Sequence, residues 1–237
     1  MYKEKIKISS IDIDQNLELR LSNLFKYFQI VGSNHIEKLG VGHQDLFDHN
    51  LLWVVIRLEA KIYRTPKLDE VVTFTTHPGE NRSFVFPRFY EVYDSKGKLM
   101  VSASSMWALI DKTTRKVVIK PEGIKSIKGE KHIDDIPLPE KVTGEASFLV
   151  NKRKTVYSDI DLNGHLNNTK YIEFMLDTHE SEFYKTHRIK RVNVNYDKEI
   201  KFGDEVSLFS NGKEIEVIKG KVDDVNHFTS EFEYEKR

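Results

Sequence analysis

Apolar residues in the first forty positions recur with the period of an amphipathic helix. From residue 17 to residue 39 they recur at roughly helical spacing, as expected for one buried helix face. The residues that set this period are Leu21, Leu24, Phe25, Phe28, Val31 and Ile36. Gly40 and Gly42 follow directly and are typical of a helix end. The pattern predicts a strand over 2–14 and a long helix over 17–39.

Alternating apolar and polar residues follow this helix and predict a set of strands. The predicted strands cover 51–63, 70–76, 83–93 and 99–111. Ser95 to Gly97 lies between the last two strands and is typical of a hairpin turn. Prolines, glycines and charges then accumulate from 112 to 145, and the periodicity fades. This composition indicates a linker with some local structure.

The second half repeats the order of elements in the first half. A strand over 146–157 and a helix over 166–184 are followed by further strands at 190–200, 205–210, 214–222 and 227–234. Short matches between the halves support a repeat: 23–27 resembles 167–171, and 69–71 resembles 204–206. On this alignment Leu21 occupies the position of His165. The first half is then predicted to be a copy without the polar residues.

A long helix with several antiparallel strands, occurring twice, predicts an α+β fold in which each sheet wraps around its helix. The chain has 237 residues, which is enough for two domains of ordinary size. We predict an N-terminal domain over 1–125, a linker over 126–145 and a C-terminal domain over 146–237.

The most polar part of the chain is the run from Ser158 to Asn168. Its chemistry-bearing residues are Asp159, Asp161, Asn163, His165, Asn167 and Asn168. An apolar segment, 171–176, follows almost directly. Polar groups at this density beside an apolar segment are costly unless they bond to one another or to a ligand. The run is therefore the first candidate for a functional site.

A calcium site is the first alternative for this run. Asp159, Asp161, Asn163 and Gly164 match the opening of an EF-hand loop. That loop requires a bidentate glutamate at its twelfth position, where this chain has Lys170. We therefore reject a calcium site.

A purely structural role is the second alternative. Asn163 or Asn167 would cap the following helix, and His165 would be an ordinary hydrogen-bonded histidine. Helix capping requires one or two of these side chains, so it does not account for the whole set. We favour a functional site.

The residue types suit the hydrolysis of an activated acyl group. The start of a helix carries about half a positive charge, which stabilises a developing oxyanion. A histidine takes a proton from water near neutral pH, and a carboxylate fixes its tautomer. The sequence has no G-x-S-x-G, H-E-x-x-H or Walker phosphate-loop motif.

Composition excludes several classes of function. The 37 basic and 37 acidic side chains balance, so a general nucleic-acid binder is not expected. The chain contains no cysteine, which excludes disulfides, thiolate metal sites and a cysteine nucleophile. It has no apolar run that would span a bilayer and no apolar signal region at its N-terminus. We expect a cytoplasmic protein that needs neither a metal nor another cofactor and binds neither nucleic acid nor membrane.

The run from Ser158 to Asn168, continued to Ile172, closely resembles the signature of the acyl-acyl carrier protein thioesterases. This family contains plant plastid enzymes and bacterial relatives. Three other segments, 51–57, 104–116 and 194–199, resemble the family in the same order. The resemblance thus covers nearly the whole chain.

This resemblance implies two tandem hotdog domains and the hydrolysis of fatty acyl-carrier-protein thioesters to free fatty acids. By motif match, Asp161, Asn163, His165 and Glu199 take the family's catalytic positions. His165 and Glu199 would activate water, Asn163 would contact the thioester carbonyl, and Asp161 would fix the Asn163–His165 pair. Backbone N–H groups at the helix start would stabilise the oxyanion. Plant members carry a cysteine after the glutamate, where this chain has Ile200, so water would attack directly.

The resemblance also implies sites for the substrate and its carrier. The predicted substrate contacts are Asn167, Asn168, Tyr196, Trp53, Phe25 and Phe28, with the acyl chain in the N-terminal domain. Since carrier protein is acidic, a basic docking patch is predicted from Arg153, Lys154, Arg188, Lys190 and Arg191. Two alternatives remain open: an acyl-CoA thioesterase of the same fold, and a non-catalytic hotdog protein that binds acyl thioesters. The two halves together would form a pseudo-dimer, so both a monomer and a homodimer are compatible with this arrangement.

Overall fold

The computed structural model describes residues 1–119, 127, 129 and 136–237. The remaining part of the predicted linker, 120–126, 128 and 130–135, lies outside the described residues. The chain divides into two compact units. The first unit comprises Met1–Leu19 and Leu24–Pro139, and the second comprises Arg20–Asn23 and Glu140–Arg237. Within the described ranges, no helix combines the length and apolar character needed to cross a membrane.

The first unit is an antiparallel sheet with one long helix. Its elements are β1 (Tyr2–Lys7), α1 (Leu21–Leu39, which belongs to this unit from Leu24 onward), α2 (His43–Asp48), β2 (Leu51–Ile62), β3 (Val71–Pro78), β4 (Phe86–Tyr93) and β5 (Leu99–Asp111). The strands follow the order β1-β3-β4-β5-β2 across the sheet. The predicted strands are confirmed with small shifts at their ends, except that β1 stops at Lys7.

Helix α1 packs on this sheet through the face that the apolar period predicts. Phe28 is fully buried; its ring stacks on Tyr90 at 4.8 Å and meets Phe74 edge-on at 5.9 Å. The helix begins at Leu21 rather than at residue 17 because the preceding residues form a hydrogen-bonded loop. It ends beside Gly40, whose φ of 74° is readily adopted by glycine. The short helix α2 was not predicted, since its six residues are too few to show a period.

The second unit repeats this arrangement with shorter helices. Its elements are β6 (Phe148–Lys154), α3 (Asn168–Leu176), α4 (Ser181–Thr186), β7 (His187–Tyr196), β8 (Glu205–Ser210), β9 (Ile215–Val222) and β10 (Val225–Lys236). The strands follow the order β7-β10-β9-β8-β6, and all pair antiparallel. Tyr171 of α3 packs edge-on against Phe228 of β10 at 5.3 Å, which places the helix on the sheet.

The single helix predicted over 166–184 is wrong, because α3 ends at Leu176 and α4 is a separate helix. The Thr178 hydroxyl donates to the Met175 carbonyl oxygen at 2.6 Å and so satisfies an acceptor at the helix end. Threonine competes with helical hydrogen bonding in this way. An apolar period that continues past residue 176 does not reveal this break.

The described end of the linker is fixed by side chains of the sheets. In the first unit, the Ser104 hydroxyl donates to the Pro137 carbonyl oxygen at 2.7 Å. In the second unit, the Asn195 amide donates to the Val142 carbonyl oxygen at 2.9 Å and accepts from the Val142 N–H at 3.3 Å. Residues 136–145 form neither helix nor strand and are held by hydrogen bonds of this kind.

Candidate active site

The polar run of the sequence, residues 158–168, folds into a tight loop that we call the polar loop. One oxygen of the Asp161 carboxylate accepts from the backbone N–H of Asn163 at 2.8 Å and of His165 at 3.3 Å. The Asp161 N–H donates to the His165 carbonyl oxygen at 2.8 Å and closes the turn. Gly164 adopts a φ of 80°, which most residues avoid. Asp161 therefore fixes Asn163 and His165 through their backbone.

Backbone hydrogen bonds hold the polar loop against the segment that follows β7. The Leu166 N–H donates to the Ile200 carbonyl oxygen at 2.8 Å, and His165 forms an antiparallel bridge with Lys201. This pairing brings His165 Nε2 to 3.3 Å from Glu199 Oε2. The imidazole is 19% exposed and the carboxylate is 40% exposed, so the pair reaches solvent. A carboxylate and an imidazole at hydrogen-bonding distance, and open to water, have the geometry of a general base.

His227 is a site residue that the sequence did not reveal. Its Nδ1–H donates to the Glu199 carbonyl oxygen at 3.0 Å, because a carbonyl oxygen only accepts. Its own carbonyl oxygen accepts from the N–H groups of Asp197 and Lys198 at 2.9 Å each. Burial lowers the pKa of His227 despite the nearby Asp204 carboxylate. His227 thus fixes the backbone that carries Glu199. Because the two residues are 28 positions apart in the sequence, no local motif indicates this contact.

Asn163 offers a polar group that has no partner in the described structure. Its Oδ1 is buried and forms no hydrogen bond with any described residue. A buried amide oxygen left in this state costs about 1–3 kcal/mol, so it is uncommon unless it serves a purpose. Its place in the loop that carries His165 fits the predicted contact with a substrate group.

Asn167 is the N-cap of α3. Its side-chain oxygen accepts from the Thr169 N–H at 2.9 Å and from the Thr169 hydroxyl at 2.8 Å. The Lys170 N–H donates to the Asn167 carbonyl oxygen at 2.8 Å. Two N–H groups of the first turn are thus already hydrogen-bonded, which weakens the expected oxyanion site at the helix start. Substrate contacts by Asn167 and by Asn168, the first helical residue, stay predictions.

The other predicted substrate residues lie in packed aromatic clusters. Tyr196 meets Tyr171 edge-on at 5.2 Å, and burial raises the pKa of both phenols. Trp53 meets Phe86 edge-on at 4.9 Å and packs against the apolar core of the first unit. Phe25 is almost completely buried in the same unit. Contacts of Tyr196, Trp53, Phe25 and Phe28 with a substrate stay predictions.

The first unit contains a second copy of the polar loop. The sequence Asp-Ile-Asp-x-Asn occurs at 12–16 and again at 159–163. The Asp14 carboxylate accepts from the N–H groups of Asn16 at 2.8 Å and Glu18 at 3.2 Å, as Asp161 does in the second unit. Leu17 has a φ of 59° at the position of Gly164. The two loops share one hydrogen-bond pattern.

This pattern corrects the alignment of the two halves. Glu18 bridges Lys67 as His165 bridges Lys201, so Glu18, and not Leu21, is the counterpart of His165. Counting back from Lys67, Thr65 stands at the position of Glu199. The first unit therefore keeps the Asp-x-Asn loop and lacks the imidazole–carboxylate pair. The loop therefore forms without an imidazole–carboxylate pair, and the catalytic roles of Asp161, His165 and Glu199 stay predictions.

The predicted basic docking patch is largely neutralised by ion pairs. Arg153 pairs with Asp177, Arg188 pairs with Glu235 at 2.7 Å, and Arg191 pairs with Glu231 at 2.6 Å and Glu233 at 3.1 Å. Each acidic partner lies on a neighbouring element of the fold, so the positions of the charges along the sequence do not reveal these pairs. Docking of a carrier by these arginines stays a prediction.

A second imidazole–carboxylate contact in the same unit has a structural role. His179 Nε2 lies 2.6 Å from Glu216 Oε2, beside a groove of about 930 Å³. The buried Glu216 also accepts from the Ser210 hydroxyl at 2.6 Å and from the Tyr234 hydroxyl at 3.1 Å. Burial opposes ionisation, but the hydrogen bonds from His179 and Ser210 hold the pKa of Glu216 below its usual value. A carboxylate engaged by three donors is poorly placed to take a proton from water.

Among the described residues, no group of three or more histidines and carboxylates is arranged to hold a metal ion.

Comparison with protein families gives two successive matches. The model of the acyl-ACP thioesterase N-terminal domain matches residues 1–127, and that of the C-terminal domain matches residues 144–233. The chain belongs to the acyl-ACP thioesterase family.

Solved thioesterase structures share the whole fold. An acyl-ACP thioesterase from Bacteroides thetaiotaomicron is 28% identical with a TM-score of 0.84, and the match covers 98% of this chain and 97% of that one. A 12:0-ACP thioesterase from Umbellularia californica is 18% identical with a TM-score of 0.84, over 100% of this chain and 97% of that one. The predicted α+β architecture of two tandem hotdog domains is confirmed.

Curated plant thioesterases are more distant and longer. A chloroplastic acyl-[acyl-carrier-protein] hydrolase of Cuphea viscosissima is 23% identical over 84% of this chain and 52% of its own length. The chain thus spans about half the length of the first curated relatives that it matches.

Proposed function

We propose that this thioesterase hydrolyses fatty acyl-carrier-protein thioesters to free fatty acids, without a covalent intermediate. The observation that carries the proposal is the contact between His165 Nε2 and Glu199 Oε2 at 3.3 Å in a solvent-accessible loop. Relatives described as acyl-ACP thioesterase and acyl-[acyl-carrier-protein] hydrolase support the substrate class. The proposal includes the cytoplasmic location and the monomer or homodimer predicted from the sequence.

The reaction uses water as the nucleophile. The His165–Glu199 pair takes a proton from water as the water oxygen attacks the thioester carbonyl carbon. The carbon–oxygen bond forms, and the carbonyl electron pair moves to oxygen as an oxyanion. When the oxyanion collapses, the carbon–sulfur bond breaks, and the pair returns the proton to sulfur. The products are a fatty acid and the carrier thiol.

Three further residues serve this reaction at different distances from the reacting atoms. The Asn163 carboxamide contacts the thioester oxygen through its Nδ2–H donors, because an amide oxygen only accepts hydrogen bonds. Asp161 positions His165 through the loop backbone, and His227 positions Glu199 through its carbonyl oxygen. Because two amides of the α3 first turn are already bonded, the proposed oxyanion donor is the side-chain N–H of Asn163.

The substrate class is tested by turnover of one acyl group on two carriers. We expect the purified protein to release fatty acid from acyl-ACP with a kcat/KM well above that for the matched acyl-CoA. Fatty acids are quantified by mass spectrometry across a panel of chain lengths. Preference for CoA would support the acyl-CoA thioesterase, and binding of acyl-ACP without release would support the non-catalytic alternative.

The surface around the pair fits an acidic carrier. Four large apolar side chains are exposed there: Val156 at 50%, Tyr157 at 88%, Leu162 at 74% and Phe202 at 65%. The Thr155 hydroxyl donates to the Lys201 carbonyl oxygen at 2.6 Å, which joins the two segments beside the pair. Exposed lysines, Lys198 and Lys201, flank Glu199 and have no acidic partner among the described residues. We call these four apolar residues and two lysines the docking face.

Reversing the charge of both lysines tests this face. We expect K198E/K201E to lower kcat/KM for acyl-ACP by about tenfold or more, because steering of an acidic partner is lost. Hydrolysis of a small acyl thioester without carrier should be unchanged. K213E is the matched control, since Lys213 lies in the turn between β8 and β9 at the other end of the sheet. Equal losses in K213E, or a loss with the small thioester, would contradict the docking face.

A further inference from the structure

The groove beside His179 is a concave site of the second unit that the proposed reaction does not use. Its volume is about 930 Å³, within the range of roughly 300–1,000 Å³ that is typical of small-molecule sites. It lies where β7 begins, at His187, and where β10 ends. Glu199 follows the other end of β7, and a strand of 10 residues is about 30 Å long. The groove is therefore distinct from the candidate active site.

The buried Glu216 ties the walls of this groove to one another. Its carboxylate contacts His179 at 2.6 Å on the segment after α3, and it accepts from the Ser210 hydroxyl at the end of β8 and from the Tyr234 hydroxyl of β10. The Ser210 Oγ also accepts from the Gly212 N–H at 2.9 Å, which fixes the turn between β8 and β9. A groove with walls held in this way is preformed, and a preformed site loses less entropy when it binds a ligand.

Aromatic and aliphatic side chains line part of the groove. Phe183 of α4 stacks between two imidazoles, with its ring centroid 4.0 Å from that of His179 and 4.4 Å from that of His187. Tyr234 meets Phe183 edge-on at 4.9 Å. Ile215 of β9 also lines the groove and is 52% exposed. This surface suits the apolar body of a ligand.

Three lysines that line the groove have no acidic partner among the described residues: Lys190, Lys213 and Lys236. Lys190 is the extra residue of a β-bulge in β7, because the cross-strand partners in β10 are those of Ile189 and Arg191. A bulge redirects a side chain, and bulges are common beside functional sites.

The acidic residues of the lining are mostly neutralised by other groups. Glu216 accepts hydrogen bonds within the fold, and two further glutamates form ion pairs with arginines, Glu233 with Arg191 and Glu235 with Arg188. In the part of the chain that the structure describes, Glu214 is the one carboxylate of the lining without a cationic partner. The charge that remains available to a ligand is therefore positive.

The first unit has the same β-bulge with apolar residues around it. In β2 the bulge lies between Val55 and Arg57, as it lies between Ile189 and Arg191 in β7. When the bulges are aligned, the corresponding residues are Ile56 and Lys190, Trp53 and His187, and Leu109 and Lys236. Trp53 and Leu109 pack in an apolar cluster of the first unit. The fold therefore does not itself require cations and an imidazole at these positions.

We propose that this groove binds an amphiphilic anion, with the anionic head at the three lysines and the apolar body against Phe183 and Ile215. A free fatty acid is the ligand of this class that the protein would itself produce, so this choice of ligand rests on the proposed function. The groove is then a second fatty-acid site, separate from the His165–Glu199 pair. Contacts of the carboxylate with lysines are charge-assisted, and burial of the chain adds hydrophobic stabilisation.

NMR signals of the histidine side chains test this site directly, because histidines mark both sites. His179 and His187 report on the groove, and His165 and His227 report on the candidate active site. We expect dodecanoate, below its micelle concentration, to shift the signals of His179 and His187 saturably. Dodecanol lacks the charge and acetate lacks the chain, so each should shift them far less. An equal response to dodecanol would contradict a role for the lysines.

Substitutions test the two halves of the groove separately. K190Q/K213Q/K236Q should weaken the binding of dodecanoate measured at His187 by about tenfold, the combined effect expected of three exposed ion pairs. K141Q/K152Q/K154Q is the matched control, since these exposed lysines of the same unit lie outside the groove. I215S should weaken the binding of dodecanoate more than that of hexanoate, because Ile215 contacts the chain. Equal losses in the two triple variants would overturn the lysine contacts.

Binding and turnover are independent readouts, so this site and the proposed function can fail separately. If the protein binds dodecanoate at His179 and His187 but hydrolyses no acyl thioester, the groove is sustained as a site and the proposed function is rejected. If the protein hydrolyses acyl-ACP and dodecanoate shifts only His165 and His227, the proposed function stands and the groove is rejected as a fatty-acid site.

Discussion

Replacing His165 by alanine is expected to lower kcat for acyl-ACP by roughly 10²- to 10⁴-fold, the usual contribution of a positioned general base. KM should change little, because the imidazole faces Glu199 at 3.3 Å and contributes to the transition state rather than to binding of the ground state. Single-turnover measurements with radiolabelled acyl-ACP give the rate of the chemical step directly.

The first unit provides the control for this substitution. Glu18 occupies the position of His165 in the copied loop, with the same bridge and the same contact to an aspartate. E18A therefore removes a side chain from an equivalent loop without touching the proposed base. We expect E18A to keep wild-type turnover per folded molecule. An H165A protein that turns over as fast as E18A would remove His165 from the mechanism.

The apolar period predicts the fold because it reflects burial. The period of α1 corresponds to a face packed on Phe74 and Tyr90, and the predicted β5 range is reproduced from Leu99 to Asp111. Errors arise where side-chain hydrogen bonds end an element while the period continues. The Thr178 hydroxyl that bonds at the end of α3 is such a case.

The repeat shows why matching residue types is less informative than matching hydrogen bonds. The helix-based alignment placed Leu21 opposite His165, whereas the loop geometry places Glu18 there. The better signal was present in the sequence as the repeated Asp-Ile-Asp-x-Asn at 12–16 and 159–163. An Asp side chain that accepts from backbone N–H groups two and four residues later produces this signature.

The partner of His165 does not follow from local spacing. Glu199 lies beyond α3, α4 and β7, and the bridge between His165 and Lys201 brings it into place. The family resemblance identified Glu199, because a family motif records contacts that periodicity does not. His227 lies outside the segments that carried the resemblance, and its role appears only when β10 pairs with β7.

Replacing Glu199 by glutamine is expected to lower kcat by roughly 10²- to 10⁴-fold as well, since the amide keeps the shape of the carboxylate and loses its charge and basicity. The decisive measurement is the double variant H165A/E199Q. Residues that act as one unit are far from additive, so the double variant should be about as slow as the slower single variant. E173Q is the control for the same chemical change, because Glu173 of α3 pairs with Lys170 at 2.7 Å.

This cycle tests whether the contact between His165 and Glu199 performs the chemistry. If each residue activated a separate group, the two losses would multiply, and the double variant would be slower than either single variant by the full product. If the fold-decreases in kcat of the two single variants multiply in the double variant, the two residues do not form one proton acceptor, even if both single variants are slow. A fast E199Q would leave His165 as a lone base, although Glu199 lies 3.3 Å from it. The double variant is expected to have the same kcat as the slower single variant only if both residues act on the same water.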